Sequence, residues 1–250
     1  MNDRFQPWRL RADWPWVAAV ALFAAWYLWA AAYYRVPVWR RLCFLTGLAL
    51  VAAGLLSPIE HVALRSMLSF HLLQNVMLAD WAPPLLVLGL TSAMAAVAER
   101  RAAVRVITRP VVAQGYWLAV WYGVHLPAVY EYGLARSWAL GIEHLLFLTA
   151  GLAFWWPLLV PGRMRPGGRL IYVSVAFFLA APVALIIALA GETIYPYYDT
   201  TPHLWGLDTL EDQQLGGMLM AVEQSVILFV VAAVALVQLL RDEDAVVSEA

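Results

Sequence analysis

The stretch LIYVSVAFFLAAPVALIIALA, residues 170–190, contains no charged side chain. The hydrocarbon core of a bilayer is about 30 Å thick, and a helix crosses it with about 20 apolar residues. The stretch therefore predicts a transmembrane helix. Pro182 predicts a kink in it, because proline lacks the N–H of a regular helix and neighbouring helices in a bundle can satisfy the freed carbonyl.

Similar apolar segments recur on both sides of this stretch. Together they predict an all-α polytopic membrane protein whose seven transmembrane helices form a single domain over residues 1–250, embedded in a lipid bilayer. The predicted spans are 14–34, 40–57, 63–90, 110–132, 137–159, 169–190 and 214–239. We expect the first span to be a retained helix, since its apolar run is longer than that of a signal peptide. Pro83 and Pro84 interrupt the third span.

The composition agrees with a membrane location. Hydrophobic residues make up 63% of the chain and charged residues only 13%, about half the share of a soluble domain. The net charge of −1 gives no indication of a nucleic-acid partner. Cys43 is the single cysteine, so a disulfide framework and a zinc site built from paired cysteines are both excluded.

The loop arginines predict the orientation of the chain. Cytoplasmic loops are enriched in basic residues, and every basic residue here is an arginine. Loops one, three and five carry ten of them: Arg35, Arg40, Arg41, Arg100, Arg101, Arg105, Arg109, Arg163, Arg165 and Arg169. Loops two and four carry only Arg65 and Arg136. We therefore predict an outer N-terminus and an inner C-terminus, although Arg4, Arg9 and Arg11 in the N-terminal tail argue the other way.

Two of the predicted loops differ from the others in composition. Loop three, Ser92 to Arg109, is either a short amphipathic helix on the inner membrane surface or an ordinary basic connector. Loop six, Gly191 to Gln213, is acidic, rich in tyrosine and without arginine. We expect loop six to lie outside, where it could cap a site or meet a partner.

Polar side chains inside a membrane are costly and commonly functional. The candidates are His71, Asn75, Asp80, His125, Glu143, His144, Glu223 and Gln224. Counted from the predicted outer ends of their spans at 1.5 Å per residue, His71, His125 and His144 all lie roughly 10–12 Å deep. Three helices thus contribute a histidine to one outer layer. Each histidine could equally join helices by hydrogen bonds alone.

Helical spacing refines this layer. Met67, His71 and Asn75 recur every four residues, so they are predicted to share one face of the third span. Imidazole suits copper, zinc and iron, and thioether sulfur selects Cu(I). The layer is therefore compatible with copper. On the seventh span Gln213, Gly217, Met220 and Gln224 form a stripe, which we interpret as a packing face because glycine permits close helix approach.

Four segments resemble the CtaG family of cytochrome c oxidase assembly factors, of the multi-spanning bacterial kind. They are LSPIEHVALRSMLSFHLLQNVMLADWAPPLLVLG (56–89), VHLPAVYEYGL (124–134), IEHLLFLTAGLAFWWPLL (142–159) and DQQLGGMLM (212–220). The resemblance runs from about residue 40 to residue 230. It implies a seven-helix protein of the bacterial plasma membrane that takes part in heme-copper oxidase maturation, at the step of copper delivery.

The motif positions of the family carry over to named residues of this chain: His71, Gln74, His125, Glu143, His144, Asp212 and Gln213. Two positions depart from the pattern. Asn75 and Leu140 stand where many members of the family have a further histidine, so each helix keeps only one histidine of an i, i+4 pair.

The leading hypothesis is a non-enzymatic assembly factor that binds copper and meets a heme-copper oxidase subunit. The expected ligands are His71, His125 and His144, oriented by Asn75, Glu143 and Asp212, with Met67 and Asp80 as further candidates; Asp80 and Glu223 could instead serve structure or proton balance. A zinc-dependent membrane hydrolase is the first alternative. A heme or electron carrier and a scaffold without metal are the others.

Overall fold

The computed structural model describes the backbone of residues 13–248 and the side chains of residues 13–242. Arg4, Arg9 and Arg11, which argued against the predicted orientation, lie outside the described residues. Over the described range the chain is helical and forms no strand. The all-α prediction is therefore confirmed for this part of the chain.

Twelve α-helices follow one another along the described chain. They are α1 (Trp14–Tyr33), α2 (Val38–Leu56), α3 (Pro58–Arg65), α4 (Leu68–Val76), α5 (Ala82–Leu88), α6 (Ser92–Ala98), α7 (Ala102–Ile107), α8 (Pro110–Val124), α9 (Pro127–Leu134), α10 (Ser137–Leu159), α11 (Pro166–Leu189) and α12 (Thr209–Ser248). A π-helical segment, Met77–Trp81, joins α4 to α5, and a 3₁₀ turn, Pro196–Thr200, precedes α12.

Five of these helices, α1, α2, α10, α11 and α12, are long and apolar enough to cross a membrane, and the unit from Leu68 to Ala98 makes six if it counts as one bent span. Many of their large apolar side chains point outward: Phe178 and Phe229 expose 72% and 73% of their surface. Such a belt is expected where lipid, not water, surrounds the bundle. Seven spans and their orientation stay a prediction.

The third and fourth predicted spans have different bounds in the structure. The third helix begins at Leu68 instead of residue 63, because residues 58–65 form the separate helix α3. The fourth predicted span, 110–132, divides into α8 and α9 at Leu126 and Pro127. Proline at the first position of α9 disfavours a helical conformation in the residue before it. At 15 residues, α8 is only about 22 Å long.

The Pro83-Pro84 pair changes the helix without ending it. The carbonyl of Ala79 would normally accept from residue 83, or from residue 84 in a π-helix, and both are prolines without an N–H. The helix widens here, and Ala82 donates to the carbonyl of Met77. Gly151 of α10 packs directly on the freed Ala79 carbonyl. The break thus becomes a packing point at the centre of the bundle.

Loop three is helical, in two short pieces, α6 and α7, instead of one. The unit of α4 and α5 bends by 115° into α6. At this bend the Arg40 guanidinium of α2 donates to the carbonyls of Leu88 and Leu90, at 2.7 and 2.5 Å. A cation is favourable at the C-terminus of a helix, where carbonyls lack partners. Arg40 therefore fixes the turn as well as contributing to the arginine asymmetry.

Candidate metal centre

His71 lies in the first turn of α4 and is fully buried. The start of α4 is fixed from another helix, because Met67 at its N-cap makes no side-chain hydrogen bond. The carboxylate of Asp212, on α12, accepts instead from the Leu68 N–H at 2.6 Å and from the Ser69 hydroxyl. This contact satisfies N–H groups that a helix start leaves free. The position of His71 therefore depends on α12.

The hydrogen bonds of His71 assign its tautomer. The Tyr198 hydroxyl donates to the Ala63 carbonyl at 2.8 Å, so its oxygen can only accept from His71 Nδ1, which lies 3.2 Å away. Burial raises the pKa of the Tyr198 hydroxyl well above its usual range, so the hydroxyl keeps its proton. His71 Nδ1 therefore carries a proton, and in a neutral ring Nε2 carries the lone pair.

The Nε2 atom of His71 faces a carboxylate. It lies 3.2 Å from Glu143 Oε1, without the geometry of a hydrogen bond, and the Asn75 amide approaches the same oxygen at 3.4 Å. Two acceptors at this distance repel each other unless a proton or a metal ion lies between or beside them. His71 and Asn75 both reach Glu143, so the structure confirms that these two residues share one helical face.

His125 shows the same arrangement at the end of α8. Its Nδ1 lies 2.6 Å from the Trp121 carbonyl, which can only accept, so Nδ1 donates and Nε2 is left with the lone pair. Nε2 is buried and has no hydrogen-bond partner. A histidine whose Nδ1–H is held by a carbonyl presents Nε2 to a metal in many protein sites.

His144 follows Glu143 on α10 and is also buried, with Nε2 unpartnered. Its ring centre lies 6.4 Å from that of His71, and the Trp16 ring of α1 lies 6.5 Å away on another side. Glu143 interacts electrostatically with all three histidines. The structure therefore brings His71, His125 and His144 into one layer around this carboxylate. We call this group, with Asn75, the histidine centre.

The spacing of these rings limits what the centre can hold as it stands. Two imidazoles bound to one ion at about 2.0–2.1 Å have ring centres about 6 Å apart at most, close to the His71–His144 separation. The Tyr130 ring packs near both other histidines, with its centre 4.9 Å from that of His71 and 6.4 Å from that of His125. Among the described side chains, no three His, Cys, Asp or Glu groups converge closely enough to hold an ion together.

Three predicted members have positions or contacts that differ from those predicted. Met67 has extended backbone angles ahead of α4, so the four-residue spacing from Met67 to His71 is not helical, and the predicted shared face was wrong for Met67. Asp212 caps α4 and interacts electrostatically with His203, which is not one of the three predicted ligands. Asp80 lies nine residues beyond His71, roughly 13 Å further along the helix, and belongs to a different cluster.

Several residues of the site have no clear signal in the sequence. Tyr198 fixes the tautomer of His71, Tyr130 packs near both His71 and His125, and Trp16 lies beside His144. Glu60 of α3 binds the Gln74 amide. The tyrosine-rich composition of loop six was the one available indication, and it is equally typical of a membrane interface.

A second polar cluster lies deeper in the bundle. Asp80 occupies the π-helical segment and is 5% exposed. Its neighbour Trp81 donates its indole N–H to Glu223 Oε1 of α12 at 2.8 Å, and Asp80 acts electrostatically on Glu223. One carboxylate oxygen of each acid is buried without a hydrogen-bond partner: Oδ2 of Asp80 and Oε2 of Glu223. The widened helix therefore directs a tryptophan and an aspartate toward α12.

Replacing Trp81 by phenylalanine is expected to destabilise the protein by about 1–3 kcal/mol, because Glu223 loses its donor while the aromatic ring stays. Thermal unfolding in detergent measures the change. A double-mutant cycle with Glu223→Leu, which removes the acceptor oxygen, isolates the contact from the effect of ring size. A coupling energy near zero between the two positions would show that this hydrogen bond contributes nothing to stability.

The fold and the site define a class: a helical membrane protein with a buried histidine–carboxylate layer near one end of its bundle. Comparison with known families identifies the class further. Residues 20–242 match the family described as cytochrome c oxidase caa3 assembly factor (Caa3_CtaG). The match covers most of the chain, so the protein belongs to this family. No curated protein and no solved structure shows a significant similarity to it.

The family assignment confirms the resemblance derived from the four sequence segments. It supports a role in the assembly of cytochrome c oxidase and an oxidase as partner. Neither the match nor the described residues support the zinc hydrolase or the heme carrier. Copper binding is a separate matter, which depends on the chemistry of the histidine centre.

Proposed function

We propose that this chain binds copper as a cargo at His71, His125 and His144 and delivers it to a heme-copper oxidase subunit during assembly. The proposed role is non-enzymatic: the ion is taken up, held and released without a change in covalent bonds of the protein. The membership in a family of oxidase assembly factors supports the partner. The chemistry of the histidine centre supports the proposal that the cargo is copper.

One observation carries the copper hypothesis. The Nε2 atoms of His125 and His144 are buried without a hydrogen bond, and that of His71 faces the Glu143 carboxylate at 3.2 Å, although an unpartnered polar atom in a buried site is costly. The Nδ1 protons of His71 and His125 are held by neighbouring oxygens, which leaves both Nε2 lone pairs free for a metal. Imidazole nitrogen is a good ligand for copper. Glu143 would balance the positive charge of the ion.

The spacing of the centre favours a carrier over a permanent metal site. A structural metal site is closed by ligands that converge on the ion. Here the rings of His71 and His144 form the close pair, whereas the ring of His125 packs against Trp121, Tyr130 and Phe147. A third ligand that must move inward to bind can also move outward to release the ion. We infer that this asymmetry lets the chain take up copper and pass it on.

We place the protein in the plasma membrane of a bacterium, as expected for a caa3 oxidase assembly factor. The predicted orientation puts the histidine layer toward the outer side of the bundle, with His71 in the first turn of α4 and His125 at the end of α8. In that position the cargo is separated from the cytoplasm by most of the bundle. Delivery would then take place toward the outer side.

Elemental analysis of the detergent-purified protein, loaded with Cu(I) under anaerobic reducing conditions, tests the proposal. We expect about one copper per chain, and its loss in the His71→Ala/His125→Ala/His144→Ala variant, because imidazole nitrogen supplies the metal bonds. His61→Ala is the matched control, since this histidine lies on α3 outside the centre. Copper retained by the triple variant, or none bound by the wild-type chain, would overturn the copper assignment.

A further inference from the structure

A cavity of about 360 Å³ reaches from the surface of the bundle to His144. Its mouth is lined by the exposed residues Arg65 and Ser137, and its inner wall includes Glu60 and His144, which are 7% and 2% exposed. The cavity therefore connects the surface with the one histidine of the centre that a solute can approach from this side. Its size falls at the lower end of ordinary small-ligand sites.

The walls of the cavity are suited to a cation. Among the described residues that line it, Asp13 and Glu60 carry carboxylates and Arg65 carries a guanidinium; the Glu60 carboxylate also accepts from the Gln74 amide. Asp13 stands at the N-cap of α1 but makes no capping hydrogen bond, so its carboxylate is not committed to the helix. Clefts lined by a net negative charge raise the local concentration of cations. His144 Nε2, which is buried and makes no hydrogen bond, lies at the inner end of the cavity.

From this geometry we propose that the cavity is the port through which the copper cargo reaches the histidine centre. The ion enters between α3 and the start of α10, meets His144 first, and reaches the His71–Glu143 pair, whose ring is 6.4 Å from His144. This inference rests on the proposed function. It adds a direction of uptake and a first contact residue, neither of which follows from the centre alone.

The position of the port agrees with the predicted topology. The cavity lies between the ends of α3 and α9 and the starts of α1 and α10, with Tyr197 from the segment between α11 and α12. These are loops two, four and six and the N-terminal end of the chain, all predicted to face outside. Copper would therefore enter from the same side on which the histidine layer lies.

Gly141 allows the port to be narrowed without touching a ligand. It lines the cavity, and a Cβ added to it meets no atom within 4 Å. The Gly141→Leu variant should therefore fold normally and fill the passage. Gly115 of α8 also has open space around its Cβ but does not line the cavity, so Gly115→Leu is the matched control. Thermal unfolding of both variants checks that the fold is kept.

The test follows the rate at which the full-length protein in detergent takes Cu(I) from a chromophoric Cu(I)–chelator complex. We expect Gly141→Leu to slow loading about tenfold and leave the final copper content unchanged, because a blocked path affects association but not the ligands. Gly115→Leu should load like the wild-type chain. Asp13→Asn should slow loading roughly severalfold and weaken its dependence on salt, since it removes a steering charge.

The outcomes separate the port from the proposed function. Normal copper content with an unchanged loading rate in Gly141→Leu would overturn the port and leave the histidine centre in place. Equal slowing by Gly141→Leu and Gly115→Leu would also overturn it, because the effect would then be a general distortion. A wild-type chain that binds no Cu(I) would overturn the proposed function and the port together.

Discussion

Replacing Gly151 by alanine is expected to destabilise the protein by about 3 kcal/mol or more, which is severe for a single methyl group. A Cβ at this position would lie 2.2 Å from the Ala79 carbonyl oxygen and 2.7 Å from the Pro83 ring. Both neighbours are rigid, since one is backbone and the other a proline. Helix α10 must therefore separate from the π-helical segment and from α5 at this contact.

The control variant is expected to change the stability in the opposite direction. Gly115→Ala adds the same methyl group to α8, where nothing lies within 4 Å of the new Cβ. Alanine is favoured over glycine inside a helix by about 1 kcal/mol, so Gly115→Ala should be neutral or stabilising. Thermal unfolding in detergent measures both. Equal stability of the two alanine variants would show that Gly151 does not determine the packing of the π-helical segment.

Replacing Asp212 by alanine is the second change with a large expected effect. Its carboxylate is fully buried and binds the Leu68 N–H and both the N–H and the hydroxyl of Ser69. Removal leaves these donors buried without a partner at the start of α4, which costs about 2–4 kcal/mol. Asp212→Asn keeps one acceptor oxygen and should cost less. Glu192→Ala, at an exposed acidic residue, is the control for charge.

Asp212→Ala should also affect the histidine centre. His71 lies three residues after Leu68, so fraying of the first turn of α4 would displace its ring from Glu143 and Tyr198. We therefore expect weaker Cu(I) binding in this variant, measured by competition with a chelator at a temperature where it stays folded. Wild-type stability and copper affinity in Asp212→Ala would contradict the capping role.

Much of the fold could be predicted from local properties of the chain. The apolar segments around 14–34, 137–159 and 169–190 became helices close to those bounds, because a backbone in lipid must satisfy its own hydrogen bonds. The predicted helix boundaries were wrong in two places. At Met67 a separate short helix precedes the span, and at Leu126-Pro127 the helix α8 ends early. At Leu126 the apolar character continues across the break, and at Met67 the polar residues Arg65 and Ser66 are too few to show in an average over a whole span.

For the candidate site, the sequence by itself determined the family and identified the polar residues. Their common depth stays a prediction, because the spans along which His71 and His125 were counted are each divided into two helices. It also indicated that His71 and Asn75 share a face. Only the tertiary structure decided that both contact Glu143, that Asp212 holds α4 from a distance of 144 residues, that Trp81 meets Glu223, and that a cavity leads to His144. The physical reason is that helical periodicity specifies which side chains lie on one face, whereas the helix that this face meets depends on the packing of the whole bundle.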